Sequence, residues 1–107
     1  MAELHFTDDN FEQEVLKEKE KPVLVDFFAT WCPPCKMLGP IVEELAKDFE
    51  GKAKIGKIDV DQNKKYAGQY KVQSIPTIIL FKKGEAVETV MGLQSKEKLT
   101  ELINKYL

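Results

Sequence analysis

The sequence predicts a single α/β domain of three layers, in which a central mixed sheet of five strands lies between four helices. Its 107 residues suffice for one hydrophobic core but not for two. A nearly continuous apolar run over residues 23–29 is typical of a central strand that is covered on both faces. Strand and helix patterns follow each other in the order β-α-β-α-β-α-β-β-α without a linker or repeat, so we expect one domain over residues 1–107.

The N-terminal segment predicts a short edge strand and then a helix. Residues 3–6 alternate between polar and apolar side chains, which indicates the strand. Thr7 or Asp8 can cap the helix that follows, and the spacing of Phe11 and Val15 marks its buried face.

A long amphipathic helix is predicted over residues 34–49, directly after the apolar strand. Its apolar side chains recur at helical spacing: Met37, Leu38, Ile41, Val42, Leu45, Ala46 and Phe49. Pro40 removes one backbone donor inside this helix and should kink it near Met37. Gly51 is a suitable residue to end it.

The second half of the chain predicts three further strands and two helices. A strand over residues 53–60 is followed by Asp61, which can cap a short helix that ends near Tyr70. Residues 77–81 are rich in β-branched side chains and predict the next strand.

The last two strands are expected to form an antiparallel hairpin. Residues 82–85 contain a Lys-Gly pair typical of a turn, and residues 86–91 supply the returning strand. Ser95 then caps a final helix. The predicted buried stripe of this helix consists of Leu99, Leu102, Ile103 and Tyr106.

Composition and charge exclude several classes of function. A net charge of -2 and a pI near 5.5 provide no basic surface for nucleic acid or for anionic lipid. No apolar run approaches the roughly 18 residues of a membrane helix, and the first residues lack the basic and apolar regions of a signal peptide. We therefore expect a soluble protein that is retained in the cytoplasm.

The two cysteines of the chain form a Cys-x-x-Cys pair, Cys32 and Cys35, where the apolar strand meets the long helix. Residues three apart at a helix start have Cα atoms about 5 to 6 Å apart, which allows a disulfide. A disulfide that only staples the fold would stabilise little across so short a loop. A zinc site would need about four ligands, and the chain offers two cysteines and one distant histidine. A dithiol redox site, without metal, is favoured over both and over inert thiols.

The positions of the two cysteines predict different roles. Cys32 stands at the front of the helix, where unpaired N–H groups and the helix dipole favour the nucleophilic thiolate. The dipole alone should lower the pKa of its thiol by about one unit. Cys35 lies one turn deeper, should be more buried, and fits the thiol that resolves a mixed disulfide.

Asp26 is the candidate acceptor for the proton of Cys35. A carboxylate within an apolar strand is costly to ionise, so its pKa should rise towards that of a useful base. A strand-end aspartate that points to solvent is the alternative interpretation. Lys57 could lie beside Asp26 and tune it, although an outward-facing lysine explains the same position equally well.

Several motifs in order make the chain resemble the thioredoxin family from end to end. They are Lys21-Pro22-Val23-Leu24-Val25-Asp26-Phe27, Ala29-Thr30-Trp31-Cys32, Pro34-Cys35-Lys36, Pro40-Ile41, Ser74-Ile75-Pro76-Thr77, Phe81-Lys82-Lys83-Gly84 and Gly92. The resemblance implies the thioredoxin fold, with Cys32 as attacking thiol, Cys35 as resolving thiol and Asp26 with Lys57 as a buried proton-transfer pair.

The resemblance also implies a substrate-binding surface around Cys32. Pro76 should be a cis proline that faces the cysteines, and a trans turn proline is the alternative. The Ile75 backbone would then pair with an extended substrate segment. Together with Trp31, Gly92 and Leu93, these residues should form an apolar rim; Trp31 as part of the core is the competing interpretation.

The active-site turn, Pro33-Pro34, departs from the family pattern. Pro33 stands where glycine is usual, has no N–H, and is biased away from helix by Pro34. Phe28 replaces the tryptophan common before the motif. The redox potential and the choice of partner therefore stay open.

The expected cofactors and partners also follow from the resemblance. No bound cofactor is expected besides the redox-active Cys32–Cys35 disulfide, and NADPH would be used indirectly through a reductase. The implied partners are thioredoxin reductase and disulfide-containing proteins, without nucleic acid or membrane, and the chain should be a monomer. The first hypothesis is a thiol-disulfide oxidoreductase that reduces protein disulfides. A disulfide oxidant or isomerase, and a non-catalytic binding subunit that uses the same surface, are the alternatives.

Overall fold

The computed structural model describes residues 3–107, and there the predicted order of strands and helices is confirmed. Residues 1 and 2, which the predicted domain includes, lie outside the described residues. The elements are β1 (Leu4–His5), α1 (Glu12–Leu16), β2 (Val23–Phe28), α2 (Pro33–Asp48), β3 (Lys54–Asp59), α3 (Lys65–Gln69), β4 (Thr77–Lys82), β5 (Glu85–Met91) and α4 (Lys96–Lys105).

The five strands form one mixed sheet in the order β1-β3-β2-β4-β5. β1, β3 and β2 are parallel, whereas β4 runs antiparallel to β2 and β5 antiparallel to β4. β2 is therefore central, and successive side chains point to opposite faces of the sheet. Val25 and Phe27 pack with α1 and α3, while Leu24 packs with α2 and α4. Asp26 consequently lies on the α2 face.

Helix α1 begins later than its predicted caps imply. Thr7 and Asn10 bind each other: the Asn10 N–H donates to Thr7 Oγ1 at 3.1 Å, and the Thr7 N–H donates to Asn10 Oδ1 at 2.8 Å. The helix itself starts at Glu12 and is wound as a π-helix, in which the Lys17 N–H donates to the Glu12 carbonyl. Thr7 thus caps the turn before the helix, and Phe11 is buried as predicted.

Helix α2 starts at Pro33, one residue before the predicted start, and runs without a break through Pro40 to Asp48. Its N-cap is Cys32, with φ -89° and ψ 112°. That extended backbone is the conformation that a residue before proline prefers. Pro33 itself is helical in spite of the bias from Pro34, since proline fits the first helical position well. The kink expected near Met37 stays a prediction.

The predicted helix cap at Asp61 is wrong. α3 begins only at Lys65, and its N-cap residue, Lys64, makes no side-chain hydrogen bond to the helix. The Asp61 carboxylate instead accepts a hydrogen bond from the indole N–H of Trp31 at 2.7 Å. The Asp61 carboxylate, which the local sequence predicted to cap the helix, therefore binds the side chain of Trp31 instead.

The C-terminal hairpin and helix form as predicted. Lys83 and Gly84 connect β4 to β5 with φ of 54° and 81°, the positive values that a two-residue type I′ turn requires. The Ser95 hydroxyl caps α4 by accepting from the Lys98 N–H at 3.1 Å. Leu99 and Ile103 are fully buried and pack in one cluster with side chains of α2.

Gly56 fixes the approach of β1 to β3 and gives a first prediction. A Cβ at this position would lie 2.5 Å from the Leu4 carbonyl oxygen and 2.7 Å from the Phe6 ring. Gly56→Ala should therefore destabilise the fold by about 1 to 3 kcal/mol. The free energy of unfolding, measured by guanidinium titration, would show this loss of stability.

Gly39→Ala is the matched control, because a Cβ in the middle of α2 meets nothing within 4 Å. It should stabilise the protein by about 0.5 to 1 kcal/mol through helix propensity. Equal effects of the two substitutions would contradict the steric assignment at Gly56.

Candidate active site

Cys32 and Cys35 are joined by a disulfide at the start of α2, with their Cα atoms 5.2 Å apart. This distance agrees with the predicted spacing. The Cys35 N–H lies 3.2 Å from Cys32 Sγ and donates to it. Because Pro33 and Pro34 have no N–H, Cys35 supplies the first helical donor to that sulfur. The helix start therefore directs one backbone N–H at Cys32.

The expectation that Cys35 is the more buried cysteine is wrong. Cys32 is 2% exposed and Cys35 is 5% exposed. The loop before β4 covers Cys32, whose Sγ lies 3.8 Å from the Ile75 carbonyl oxygen. Cys35 instead borders an open pocket of about 310 Å³. The residues around it are Phe28, Ala29, Thr30, Lys36, Gly39 and Lys57. Both cysteines are therefore buried, and the deeper position along the helix does not make Cys35 the more buried one.

Asp26 is a buried carboxylate on the face of the sheet that α2 covers. It is 1% exposed, which excludes the solvent-facing alternative, and its Oδ1 is without a hydrogen-bond partner among the described residues. Burial raises the pKa of the Asp26 carboxyl from 3.8 to about 7; the Lys57 ammonium opposes this rise and the Glu3 carboxylate adds to it. Asp26 therefore changes its protonation state near neutral pH.

Lys57 lies opposite Asp26 in the parallel register of β2 and β3, as the buried pair requires. Its ammonium, however, is ion-paired with another carboxylate: Lys57 Nζ lies 3.9 Å from Glu3 Oε1. It also lies 5.1 Å from the centre of the Phe28 ring. Lys57 is thus not an outward-facing lysine. Among the ion pairs of residues 3–107, it is also not paired directly with Asp26.

The Ile75-Pro76 peptide bond is cis, as the resemblance implies. Pro76 is buried, whereas Ile75 is partly exposed and packs against the two cysteines. The Gly92 N–H donates to the Pro76 carbonyl at 2.8 Å, which brings the end of β5 beside this loop. Gly92 has φ of 83°, and a Cβ there would meet nothing within 4 Å. Its backbone conformation requires glycine, and the space beside it is open.

Trp31 stands beside the cysteines with 65% of its surface exposed, so it does not belong to the core. Asp61 fixes the indole by accepting its N–H hydrogen bond. Leu93 and Met91 are large exposed apolar side chains near Gly92, and the Ser74 hydroxyl contacts Met91 Sδ at 3.5 Å. The described surface around Cys32 is therefore apolar on the sides of Trp31 and β5.

The structure places Ile75 against both cysteines and Lys57 beside Cys35 in one pocket, with Asp26 opposite Lys57 in the sheet. Three residues near these side chains were not predicted from the sequence to lie there. Asp61 was assigned to a helix cap, Glu3 to an edge strand, and Met91 to a strand. None of the three carries a local signal for its position, because each contact joins segments distant in the chain.

Within residues 3–107, no three His, Cys, Asp or Glu side chains are grouped so as to hold a metal ion. None of the helices there is both long enough and apolar enough to cross a membrane.

Known proteins are similar to this chain along its whole length. A family model described as Thioredoxin matches residues 2–105. The thioredoxin of Staphylococcus haemolyticus is 50% identical over 107 residues, and those of Staphylococcus saprophyticus and Staphylococcus aureus are each 51% identical over 107 residues. In each case the match covers 100% of this chain and 100% of the relative.

Proposed function

Because this chain belongs to the thioredoxin family, we propose that Cys32 attacks the substrate disulfide and that Cys35 resolves the mixed disulfide. The chain is a thiol-disulfide oxidoreductase that reduces protein disulfides by dithiol-disulfide exchange through these two cysteines. The observation that carries the proposal is the position of Cys32 at the start of α2, with a backbone donor directed at its sulfur. We further propose that residues 1–107 act as one domain.

In the first step, the Cys32 thiolate attacks one sulfur of a substrate disulfide. A Cys32–substrate bond forms, the substrate S–S bond breaks, and the second substrate sulfur leaves as a thiolate. The Cys35 N–H and the positive end of the α2 dipole stabilise the negative charge on Cys32 before attack. This is the reason for assigning the attacking role to the cysteine at the N-cap rather than to the one inside the helix.

In the second step, Cys35 loses its proton and attacks Cys32 Sγ. The Cys32–Cys35 bond forms, the mixed disulfide breaks, and the remaining substrate sulfur leaves as a thiolate and is protonated. Asp26 is the proposed acceptor of the Cys35 proton, because its buried carboxyl has its pKa raised to about 7. Lys57 is the proposed partner that limits this rise.

Substrate binding is assigned to the apolar surface around Cys32, which we call the rim: Trp31, Ile75, Pro76, Gly92 and Leu93. An extended substrate segment would pair its backbone with the Ile75 carbonyl, 3.8 Å from Cys32 Sγ. The open space at Gly92 would accept the backbone of the same segment. Trp31, held by Asp61, would cover its apolar side chains.

The active-site turn, Pro33-Pro34, is the proposed source of any difference between this chain and relatives with glycine at that position. Two prolines fix two φ angles and leave Cys35 as the first residue of α2 with an N–H. A stiffer turn changes the relative free energies of the dithiol and disulfide states. We therefore assign the tuning of redox potential and partner choice to Pro33.

Recycling requires two electrons and two protons to restore the dithiol. We propose that thioredoxin reductase delivers them, with NADPH used indirectly as the source, and that the chain binds no cofactor of its own. We also propose a cytoplasmic location, since a reducing compartment favours the dithiol form. A monomeric state is proposed as well. Disulfide-containing proteins are the proposed substrates.

An insulin reduction assay tests the proposed function. With dithiothreitol as reductant, the protein should accelerate the precipitation of insulin chains well above the rate with dithiothreitol alone. With thioredoxin reductase and NADPH, the same acceleration should appear as NADPH consumption. No acceleration with dithiothreitol would contradict the reductase, and activity with dithiothreitol but none with the reductase would contradict the proposed recycling partner.

A further inference from the structure

The surroundings of Lys57 contain a carboxylate that the proposed mechanism does not use. Glu3 directly precedes β1, and the register of β1 with β3 sets His5 opposite Lys57. On the other side of β3, Asp26 of β2 is also opposite Lys57. Since alternate residues of a strand share a face, Glu3 lies on the same side of the sheet as Lys57 and Asp26. One lysine therefore stands between two carboxylates.

The contacts of Lys57 favour the outer carboxylate. Lys57 Nζ lies 3.9 Å from Glu3 Oε1, and both side chains are largely shielded, at 25% and 14% exposure respectively. Glu3 Oε2 is buried and has no hydrogen-bond partner among residues 3–107. Asp26 Oδ1 is buried and unpartnered in the same part of the chain. The Lys57 ammonium thus lies between two largely shielded carboxylates and forms an ion pair with only one of them.

We propose that Glu3 is a positioning residue, which holds the Lys57 ammonium in an ion pair away from Asp26 and so keeps Asp26 able to accept the Cys35 proton. This inference rests on the proposed role of Asp26 in the second step of the reaction. Glu3 does not touch the reacting sulfurs and acts only through Lys57 and Asp26.

The physical reason is competition between two anions for one cation. A cation within about 4 to 6 Å of a carboxylate favours its ionised form and makes it a weaker base. Without Glu3, the Lys57 ammonium would have Asp26 as its remaining buried counter-ion. The burial that raises the pKa of Asp26 would then be offset more strongly by Lys57, and the contribution of Glu3 to that rise would be lost.

Three further titratable side chains lie near this cluster: His5, Glu43 and Lys36. Burial raises the pKa of Glu3, and Glu43 on α2 adds to the rise. Lys57 on β3 and His5 on β1 oppose it. Lys36 on α2 borders the same pocket as Lys57. None of the ion pairs of residues 3–107 includes Asp26, and Lys57 and Glu3 are the two charged groups that act on its pKa.

Titration of the Asp26 carboxyl by carbon NMR in the disulfide form tests the inference. In Glu3→Gln, the pKa of Asp26 should fall by at least about 0.5 unit, because Lys57 is released towards it. In a Lys57→Met background, the same substitution should shift that pKa by less than half as much, since only the direct repulsion between Glu3 and Asp26 is then left to lose. Glu12→Gln, which removes one exposed carboxylate from α1, should leave the pKa of Asp26 where it is.

A kinetic measurement separates this inference from the proposed role of Asp26. In single-turnover release of the mixed disulfide, the pH profile of Glu3→Gln should move to lower pH by the same amount as the carboxyl titration. An unchanged pKa in Glu3→Gln, or an equal fall in the Lys57→Met background, would overturn the role of Glu3. If Asp26→Asn released substrate as fast as the unaltered protein at every pH, the proposed role of Asp26 would fail instead, whatever the titration showed.

Discussion

Cys35→Ser is expected to stop turnover and to leave the protein bonded to its substrate through Cys32. The first step needs only the Cys32 thiolate, so the mixed disulfide still forms. Its resolution is intramolecular in the unaltered protein, where effective molarities of about 10⁵ M or more are available. Millimolar dithiothreitol is a poor replacement, and we expect reductase activity to fall at least about 10³-fold. Insulin reduction and mass spectrometry of the trapped complex measure both effects.

Cys32→Ser is the matched control for this experiment. Both variants lose one thiol and the disulfide, but only Cys35→Ser retains the thiol at the N-cap of α2. Cys32→Ser should trap far less substrate. A partner that remains bound to Cys35→Ser after treatment with excess dithiothreitol would indicate a non-catalytic binding subunit, and rapid turnover by Cys35→Ser would contradict the resolving role.

Asp26→Asn is expected to stabilise the protein increasingly as the pH rises from 4 to 8. The folded pKa of Asp26, about 7, lies above its ordinary value of 3.8, so the folded state binds more protons than the unfolded state between these values. The stability that protonated Asp26 contributes is complete below pH 4 and is lost as the pH rises through 7. A shift of about three units corresponds to roughly 4 kcal/mol.

The measurement is the difference in free energy of unfolding between Asp26→Asn and the unaltered disulfide form, from guanidinium titrations at several pH values. Other titrating groups are common to both proteins and cancel, so the difference should grow by roughly 4 kcal/mol from pH 4 to pH 8. Asp9→Asn, which removes an exposed carboxylate, is the control. A difference for Asp26→Asn that stays constant with pH would show that Asp26 is ionised throughout.

The sequence was sufficient to predict most of the helices, strands and turns, because these depend on neighbours within a few residues. Helical spacing predicted α2 to within one residue at each end, and the hairpin between β4 and β5 followed from its turn residues. Ser95 was identified as a cap because the N–H that it binds is only three residues away. In the same way, the apolar neighbours of Asp26 within β2 predicted its burial.

The errors occur where a distant segment supplies the partner. Asp61 has the sequence position of a helix cap, but the Trp31 indole, thirty residues earlier, binds its carboxylate. Cys35 lies one turn further along than Cys32, the N-cap of α2, but both cysteines are buried and Ile75 packs against the two of them. The spacing of residues within α2 or α3 cannot predict either contact, because the partner lies in a distant segment.

By itself, therefore, the sequence determined the dithiol at the start of a helix, the order of the strands along the chain, and a carboxylate buried in the central strand. Only the tertiary structure decided how the charges are distributed around that carboxylate. Lys57 is opposite Asp26 in the pairing of β3 with β2, and the pairing of β3 with β1 brings it close to Glu3. Its ammonium forms the ion pair with Glu3. The physical reason is that strand register, which is set by the packing of both faces of the sheet, places these three charges together from segments more than twenty residues apart.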